Sequence, residues 1–263
     1  MTHVLTADGV RIAWTEAGDS SRPALLLSNS LGTRWEMWDA NLEALTARFR
    51  VIRYDSRGHG RSDTPGGDYA MARLGADALA VLDAAGAGRA HVAGVSKGGM
   101  VAQWLGVHAP DRVDRLVLAN TAAWLGPAEA WASRIQAVRR DGMEAVAGAV
   151  IERWFTPEFR AASPDQVTPV REMLLATPPA GYAGCCAAIR DMDQRPDIGR
   201  VAAPVLVMGG LRDPATPPET ARELARLIPG ARLEMLDAAH LSNIERHHAF
   251  NSLVTGFLEG CHG

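Results

Sequence analysis

Residues 91–99, HVAGVSKGG, set one serine between two glycines at the end of a short β-branched run. Gly94, Ser96 and Gly98 fit the pattern G-x-S-x-G, in which a strand turns sharply into a helix and holds the serine hydroxyl out at the turn. Glycine at the flanking positions permits so tight a bend, because it has no side chain to obstruct the neighbouring backbone. The stretch therefore predicts a buried strand, a helix that follows it, and a candidate nucleophile at Ser96.

Strand and helix patterns alternate along most of the chain. Asp8-Gly9 separates two short alternating stretches and indicates a hairpin at the start of the sheet. The pattern as a whole indicates the α/β class, with a mostly parallel, doubly wound sheet and helices on both faces. Continuous apolar runs predict strands at 23–29, 51–55, 91–95, 115–120, 205–210 and 232–237, and helical spacing predicts helices at 37–45, 74–82, 100–107, 219–227 and 249–258.

The alternation stops between about residues 123 and 200, where helical patterns follow one another with no convincing strand. An apolar helix stripe that includes Trp154 ends at Pro157, because proline lacks the N–H donor and clashes with a continuing helix. We therefore expect residues 1–122 and 201–263 to form the core and residues 123–200 to form an inserted helical cap.

Composition narrows the classes of partner. The 263-residue chain carries 27 basic and 30 acidic residues, a formal net charge of −3, spread along the sequence. There is neither a basic stripe for nucleic acid nor a polybasic patch for a membrane, so we expect a small molecule as the partner. No apolar run approaches the roughly 18 residues of a membrane span, and the first residues lack the pattern of a secretory signal.

The cysteines point to a reducing compartment. Their number, three, is odd, and Cys185 and Cys186 are adjacent, so neither a disulfide framework nor a spaced metal cluster is indicated. Small packing side chains are the favoured interpretation of the pair, because nothing nearby resembles an activated thiol site. We expect a cytoplasmic protein with no metal site.

Two further residues complete a candidate catalytic set with Ser96. A serine hydroxyl is a poor nucleophile at neutral pH and needs a base, which in turn needs a third group to fix its tautomer. Asp213 follows the run 205–210 and His240 follows the run 232–237, so both fall at carboxyl ends of predicted strands. Taken singly, Asp213 is explained as a turn carboxylate and His240 as a loop histidine. Their joint placement, in the order serine, acid, histidine, favours a triad.

A further histidine lies close to this edge of the predicted sheet. His59 belongs to the glycine-rich stretch RGHGRS after the run 51–55, and we interpret it as a residue that organises that loop rather than one that transfers protons.

Attack by Ser96 would create an oxyanion that requires preorganised N–H donors. One donor is the backbone N–H of Lys97, which follows the nucleophile, and the other is expected on Leu31, in the loop after an early strand. We expect the Lys97 ammonium to point to solvent; the alternatives are contact with an anionic substrate or with a carboxylate of the cap.

Several stretches carry a more specific resemblance. They are LSNSLGT (27–33), RYDSRGHGRSD (53–63), LANTAAW (118–124), ERWFTPEF (152–159), GYAGCCAAIRDMDQR (181–195), DPATPP (213–218) and AAHLSNIE (238–245). Together with the order Ser96, Asp213, His240, they resemble the 3-oxoadipate enol-lactonases of bacterial aromatic catabolism, a family within the α/β-hydrolase superfamily, over essentially the whole chain. Lys97 departs from the resemblance, because Met or Leu is expected there; the elbow itself is intact.

The resemblance implies an α/β-hydrolase fold and hydrolysis of 3-oxoadipate enol-lactone to 3-oxoadipate, in the β-ketoadipate pathway, with no metal or organic cofactor. It implies that Ser96 attacks the lactone carbonyl, His240 takes the serine proton, Asp213 orients His240, and Leu31 and Lys97 hold the oxyanion. Two alternatives stay open: another α/β-hydrolase, such as a general carboxylesterase or a C–C bond hydrolase, and a hydrolase-like ligand-binding receptor.

The lactone is anionic, and an unpaired carboxylate in a closed pocket is costly. The candidate arginines of the cap are Arg134, Arg153, Arg171 and Arg190. Of these we expect Arg190 to bind the carboxylate, with Arg134 next, and we expect Trp124 and Trp154 to supply walls of the pocket. The alternative for each arginine is an ion pair with an acid of the cap, such as Asp191 for Arg190.

Overall fold

A computed structural model describes residues 2–260. Its centre is one eight-stranded sheet whose strands lie in the order β1-β2-β4-β3-β5-β6-β7-β8. The strands are β1 Thr2–Leu5, β2 Arg11–Ala17, β3 Ala24–Ser28, β4 Arg50–Tyr54, β5 Ala90–Val95, β6 Val113–Ala119, β7 Val205–Gly210 and β8 Arg232–Leu236.

The predicted strands and hairpin are all present. β1 and β2 form the antiparallel hairpin, and β2 also pairs antiparallel with β4. From β4 to β8 every pairing is parallel, which matches the continuous apolar runs. β5 and β7 are buried along their whole length, because helices cover both faces of the sheet. The α/β class and the mostly parallel, doubly wound sheet are confirmed.

Six helices pack around the sheet. They are α1 Asp39–Thr46, α2 Met71–Ala84, α3 Lys97–His108, α9 Pro218–Leu227, α10 Ser242–Glu245 and α11 His247–Leu258. Five more lie between β6 and β7, namely α4 Ala128–Asp141, α5 Glu144–Trp154, α6 Pro157–Ala162, α7 Pro164–Leu175 and α8 Pro179–Asp191. Short 3-10 helices occupy Trp35–Trp38, Pro110–Arg112 and Ile198–Arg200. Among residues 2–260, no helix has the length and apolar character needed to cross a membrane.

The segment that connects β6 to β7 contains helices and no strand, as its sequence pattern predicts. α5 ends at Trp154, and Thr156 begins α6 by accepting a hydrogen bond from the backbone N–H of Phe159, 3.3 Å away. Pro157 then occupies the first position of α6, where its missing N–H costs nothing. The division of the chain into a core and a cap at residues 123 and 200 stays a prediction.

α8 packs directly on the loop that follows β4. Gly58 has φ +74°, and a Cβ at that position would lie 2.4 Å from the Cα of Gly181, so glycine is required at this contact. The backbone N–H of Tyr69 donates to the carbonyl oxygen of Gly184, 3.1 Å away. These contacts hold α8 over the carboxyl ends of the parallel strands.

Candidate active site

The turn from β5 to α3 has the geometry that the G-x-S-x-G pattern predicts. Ser96 has φ 57° and ψ −120°, a backbone conformation that side-chain-bearing residues rarely adopt and that costs about 1–3 kcal/mol. A Cβ on Gly94 would lie 2.2 Å from the carbonyl oxygen of Gly98, and one on Gly98 would lie 2.0 Å from the carbonyl oxygen of Ser28. Both glycines are therefore required for the turn that presents Ser96.

Asp213 and His240 form a buried pair at the ends of β7 and β8. His240 Nδ1 lies 2.8 Å from Asp213 Oδ2, and the two residues are 3% and 2% exposed. Because a carboxylate only accepts, Nδ1 carries the proton and Nε2 is left as an acceptor. Burial acts to raise the pKa of the Asp213 carboxyl, but the charge and hydrogen bond of His240 and the hydrogen bonds of Thr216 and Asn120 outweigh it and lower that pKa.

Thr216 and Asn120 fix the carboxylate that orients His240. The Thr216 hydroxyl donates to Asp213 Oδ2 at 2.6 Å, and the Asn120 amide donates to the same oxygen at 3.0 Å. Two backbone N–H groups, of Ala215 and Thr216, donate to Oδ1 at 2.8 and 3.0 Å. The stretch DPATPP therefore supplies both the acid and most of its hydrogen-bond donors.

Ser96, His240 and Leu31 line one cavity of about 180 Å³ at this edge of the sheet. The structure thus brings the predicted nucleophile and base to the same space. Within residues 2–260, Ser96 Oγ has no hydrogen-bond partner. Hydrogen bonds between a nucleophile and its base are often long in a free enzyme and tighten when substrate binds.

The two predicted oxyanion donors have free N–H groups. Lys97 is the first residue of α3, where the backbone N–H has no acceptor within the helix. Leu31 lies in a four-residue turn that Thr33 closes by donating its N–H to the carbonyl oxygen of Ser30, 3.3 Å away. Neither the Lys97 nor the Leu31 N–H donates to another group of the described chain. The roles of both as oxyanion donors stay predictions.

The expectation that Lys97 points to solvent is wrong. Lys97 is the one lysine of the chain, its side chain is completely buried, and Nζ donates to Ser56 Oγ at 2.6 Å. The side chain turns inward because α3 begins beneath the loop after β4, which α8 covers. Burial lowers the pKa of the ammonium, and the nearby Cys185, Asp77 and Asp55 only partly offset this effect. Lys97 is also not one of the residues that line the cavity, so the alternative of direct substrate contact is not supported.

His59 organises its loop, as interpreted from the sequence. It is completely buried, and its Nε2 accepts a hydrogen bond from the backbone N–H of Gly32, 2.9 Å away. Nδ1 lies 3.2 Å from the carbonyl oxygen of Arg57. Burial, and after it the charge of Lys97, lower the pKa of the His59 imidazole to about 3, so this ring is neutral. The hydrogen bond between Gly32 and His59 joins segments that are far apart in sequence, and no local sequence pattern indicates it.

The four predicted substrate-binding residues divide into two pairs. Arg134 and Trp154 line the cavity. Arg190 and Trp124 lie outside its lining: Arg190 donates to Asp191 at 2.7 Å and to Asp68 at 3.1 Å, and Trp124 is 44% exposed beneath the guanidinium of Arg195. The alternative weighed for Arg190, an ion pair with an acid of the cap, is therefore the observed arrangement.

Three further residues belong to the cavity wall: Arg153 is a candidate that the sequence does not favour, and Trp131 and Tyr182 are not predicted from it. Arg153, Trp131 and Tyr182 line it beside Arg134. The Arg134 guanidinium lies over the Trp131 ring, 4.8 Å from its centre, because the two residues are three apart on one face of α4. Burial lowers the pKa of Arg153, and the charge of Arg134 lowers it further. Two cations thus face one half-enclosed space.

The remaining expectations concern cysteines and metals. Cys185 and Cys186 are completely buried, and burial raises the pKa of both thiols, which fits packing residues. The third cysteine, Cys261, lies outside the described residues. Within the described part of the chain, no cluster of three or more His, Cys, Asp or Glu side chains has the arrangement of a metal site.

Comparison with known proteins identifies the family. Residues 23–247 match the family model of the alpha/beta hydrolase fold. The chain is 41% identical to 3-oxoadipate enol-lactonase 2 of Acinetobacter baylyi, over 97% of this chain and 96% of that protein, and 34% identical to its 3-oxoadipate enol-lactonase 1, over 92% and 91%. The crystal structure of the enol-lactonase from Burkholderia xenovorans LB400 matches at a TM-score of 0.96 and 40% identity, covering 98% of this chain and 100% of that one. The chain therefore belongs to the 3-oxoadipate enol-lactonase family of carboxylic-ester hydrolases, within the α/β hydrolase fold.

Proposed function

We propose that this protein hydrolyses 3-oxoadipate enol-lactone to 3-oxoadipate through an acyl-enzyme on Ser96, as a step of the β-ketoadipate pathway of aromatic catabolism. The observation that carries the proposal is the hydrogen bond of 2.8 Å between His240 and Asp213, with His240 and Ser96 lining one cavity that also contains two arginines. The enol-lactonase relatives support the substrate.

Acylation uses the free Nε2 of His240. As the Ser96 oxygen attacks the lactone carbonyl, Nε2 takes the hydroxyl proton, and Asp213 stabilises the imidazolium that forms. The carbonyl oxygen becomes an oxyanion within reach of the Leu31 and Lys97 N–H groups. The ring C–O bond then breaks, and the leaving oxygen departs as an enol or enolate that becomes a ketone. Because such a leaving group departs readily, His240 has comparatively little general-acid work at this step. The proton that His240 took from Ser96 passes to the enolate, and His240 is neutral again.

Deacylation repeats the chemistry with water. His240, neutral again, takes a proton from the attacking water, and the hydroxide oxygen adds to the ester carbonyl of the acyl-enzyme. The bond to Ser96 Oγ breaks, His240 returns the proton to Ser96, and 3-oxoadipate leaves. Over both steps the water hydroxyl enters the new carboxyl group, the water proton restores the Ser96 hydroxyl, and the original Ser96 proton goes to the leaving enolate, so no oxidant, reductant or cofactor is consumed.

Arg134 and Arg153 replace Arg190 as the proposed ligands of the substrate carboxylate. Both line the cavity, and burial, followed by the charge of Arg134, lowers the pKa of Arg153. An anion between the two guanidinium groups would relieve their repulsion. Arginine suits this task, because its guanidinium can bind a carboxylate through two parallel hydrogen bonds. Trp131 and Trp154 supply the apolar walls.

The test is the loss of ultraviolet absorbance when the protein meets freshly generated 3-oxoadipate enol-lactone, run beside Ser96→Ala and with p-nitrophenyl acetate as a neutral ester. Fast, Ser96-dependent loss with a strong preference for the lactone is the expected result. Turnover of the neutral ester alone would direct the assignment to a general esterase. Near single-turnover chemistry on both would favour a ligand-binding protein, and full activity of Ser96→Ala would contradict the mechanism.

A further inference from the structure

One short segment after β4, residues 56–59, contacts Lys97, which is proposed to supply one oxyanion donor, and Gly32, the residue next to the other proposed donor. Lys97 carries one donor N–H, and its ammonium donates to Ser56 Oγ at 2.6 Å. Leu31 carries the other, and the N–H of the next residue, Gly32, donates to His59 Nε2 at 2.9 Å. The two donors come from distant parts of the chain, so a common support fixes their separation.

The Gly32 hydrogen bond acts on the peptide group that follows Leu31. Ser30, Leu31, Gly32 and Thr33 form a turn closed by the Thr33 N–H, and Gly32 has φ +77° at its third position. A turn of this kind with positive φ differs from its commoner alternative by a flip of its central peptide group. That peptide group carries the Gly32 N–H, so His59 opposes the flip and keeps the turn that contains Leu31 in one conformation.

His59 can accept this hydrogen bond only in one state. Nε2 must be unprotonated, so the ring proton lies on Nδ1, where the carbonyl oxygen of Arg57 accepts it at 3.2 Å. An imidazolium would direct an N–H at the Gly32 N–H. Complete burial and the neighbouring Lys97 ammonium both favour the neutral ring.

The segment is itself held firmly. Arg57 pairs with the buried Asp77, with Nε 2.6 Å from Oδ2, and both side chains are almost completely inaccessible. Gly58 packs against Gly181 of α8 without room for a Cβ, and the His59 N–H donates to the carbonyl oxygen of Ser56 at 2.9 Å. A support of this kind moves little when the cavity fills, because each of its residues is fixed by its own partner.

We infer that His59 is a positioning residue for the reaction: its Nε2 anchors Gly32 and so fixes the turn whose second residue, Leu31, directs its own N–H at the oxyanion. The inference rests on the proposed function for its reaction, although not for the identity of the ester. If His59 were merely structural, its replacement would lower the stability and leave the kcat of the folded protein unchanged. If His59 positions the oxyanion donor, its replacement lowers kcat, because the oxyanion forms only during the reaction.

The test compares His59→Leu with His59→Gln. Glutamine can place its amide oxygen where Nε2 lies and so accept from Gly32, whereas leucine has no acceptor. Removal of a whole oxyanion donor costs about 10²–10³ in kcat, so a misdirected donor in His59→Leu is expected to cost about 10–100-fold, with KM changed by less than about threefold. His59→Gln is expected to recover most of this loss. His91→Leu is the matched control for loss of a buried histidine. His91 lies near the amino end of β5, whereas Ser96 follows its carboxyl end, so this variant should retain kcat.

Equal kcat losses in folded His59→Leu and His59→Gln, a loss confined to KM, or an unchanged kcat in His59→Leu would overturn the inference. If His59→Leu does not fold, His59→Asn takes its place, because asparagine is too short to reach Gly32; equal kcat for Asn and Gln would then overturn it. Each variant is assayed with the enol-lactone and with p-nitrophenyl acetate. Hydrolysis of the neutral ester alone would refute the proposed substrate. The kcat values of the His59 variants on that ester would still decide whether His59 is a positioning residue.

Discussion

Replacement of Lys97 by methionine is expected to stabilise the protein. The ammonium is completely buried, and its one hydrogen bond goes to the uncharged hydroxyl of Ser56. Asp55 and Asp77 contribute only through longer-range attraction, and they do not cancel the effect of burial on the Lys97 pKa. Methionine has a similar length and no charge, so it can occupy the same space without desolvating an ion.

Three contributions determine the change in the free energy of unfolding caused by Lys97→Met. Burial of an ammonium costs about 5 kcal/mol after relaxation, and its hydrogen bond to a hydroxyl returns about 2 kcal/mol. Methionine removes both contributions and leaves the Ser56 hydroxyl without this partner, which costs about 1–2 kcal/mol. Lys97→Met should therefore raise the free energy of unfolding by about 1–2 kcal/mol near neutral pH. For a chain of this size the increase in Tm is about 2–8 °C.

The gain should depend on pH with a defined sign. The pKa of Lys97 is lower in the folded protein than its ordinary value of 10.5. Between the folded pKa and that value the unfolded chain binds more protons, so the stability of the wild type rises with pH across this window. The advantage of the methionine variant is complete below the folded pKa and shrinks as pH approaches 10.5, by about 1.4 kcal/mol for each unit of pKa shift.

Urea unfolding of wild type and Lys97→Met at about pH 7 and about pH 10 measures both effects. Because Lys97 is the one lysine, nuclear magnetic resonance of lysine-labelled protein gives its pKa without ambiguity. Ser56→Ala is the matched control: it keeps the charge and removes the acceptor, so it should destabilise by about 1–3 kcal/mol. A Lys97→Met protein less stable than wild type at neutral pH, or an advantage independent of pH, would refute the reasoning.

Two further predictions concern turnover. Asp213→Asn should lower kcat for the lactone about 10⁴-fold with the fold retained by circular dichroism, because an amide does not fix the His240 tautomer; a loss below about tenfold would remove Asp213 from the triad. Arg153→Met should raise KM for the anionic lactone at least about tenfold and leave KM for p-nitrophenyl acetate unchanged, whereas Arg190→Met should change neither. A KM effect confined to Arg190→Met would restore the original assignment.

The sheet and the candidate triad could be predicted because their signals are local. A continuous apolar run identifies a parallel strand, and a residue just after such a run lies at the carboxyl edge of the sheet wherever the strand pairs. Ser96, Asp213 and His240 each follow a run of this kind, so their meeting needed no knowledge of helix packing. The glycines around Ser96 add a backbone requirement that other residue types do not meet.

The direction of side chains on the helices depends on packing between distant segments, so it could not be predicted from local sequence patterns. A lysine side chain normally keeps its ammonium in water, which favours solvent for Lys97, yet α8 and the loop after β4 close over it. Arg190 lies in a family-like stretch, which favours it as a substrate ligand, but its guanidinium forms an ion pair with the neighbouring Asp191. Arg153 lacks a carboxylate partner within reach and faces Arg134 instead, and the identity of the neighbours on α4 follows only from the fold.

Positive charge near this site serves two different purposes. Arg134 and Arg153 line the cavity, where the proposed substrate carboxylate would neutralise them and offset the unfavourable energy of the two charges. The Lys97 ammonium is separated from the cavity and has no exchangeable partner, so its cost persists in every state of the protein. Substitution of the arginines should therefore change KM at nearly constant stability, and substitution of Lys97 should change stability first. The two kinds of measurement distinguish a charge that binds substrate from one that is only enclosed by the fold.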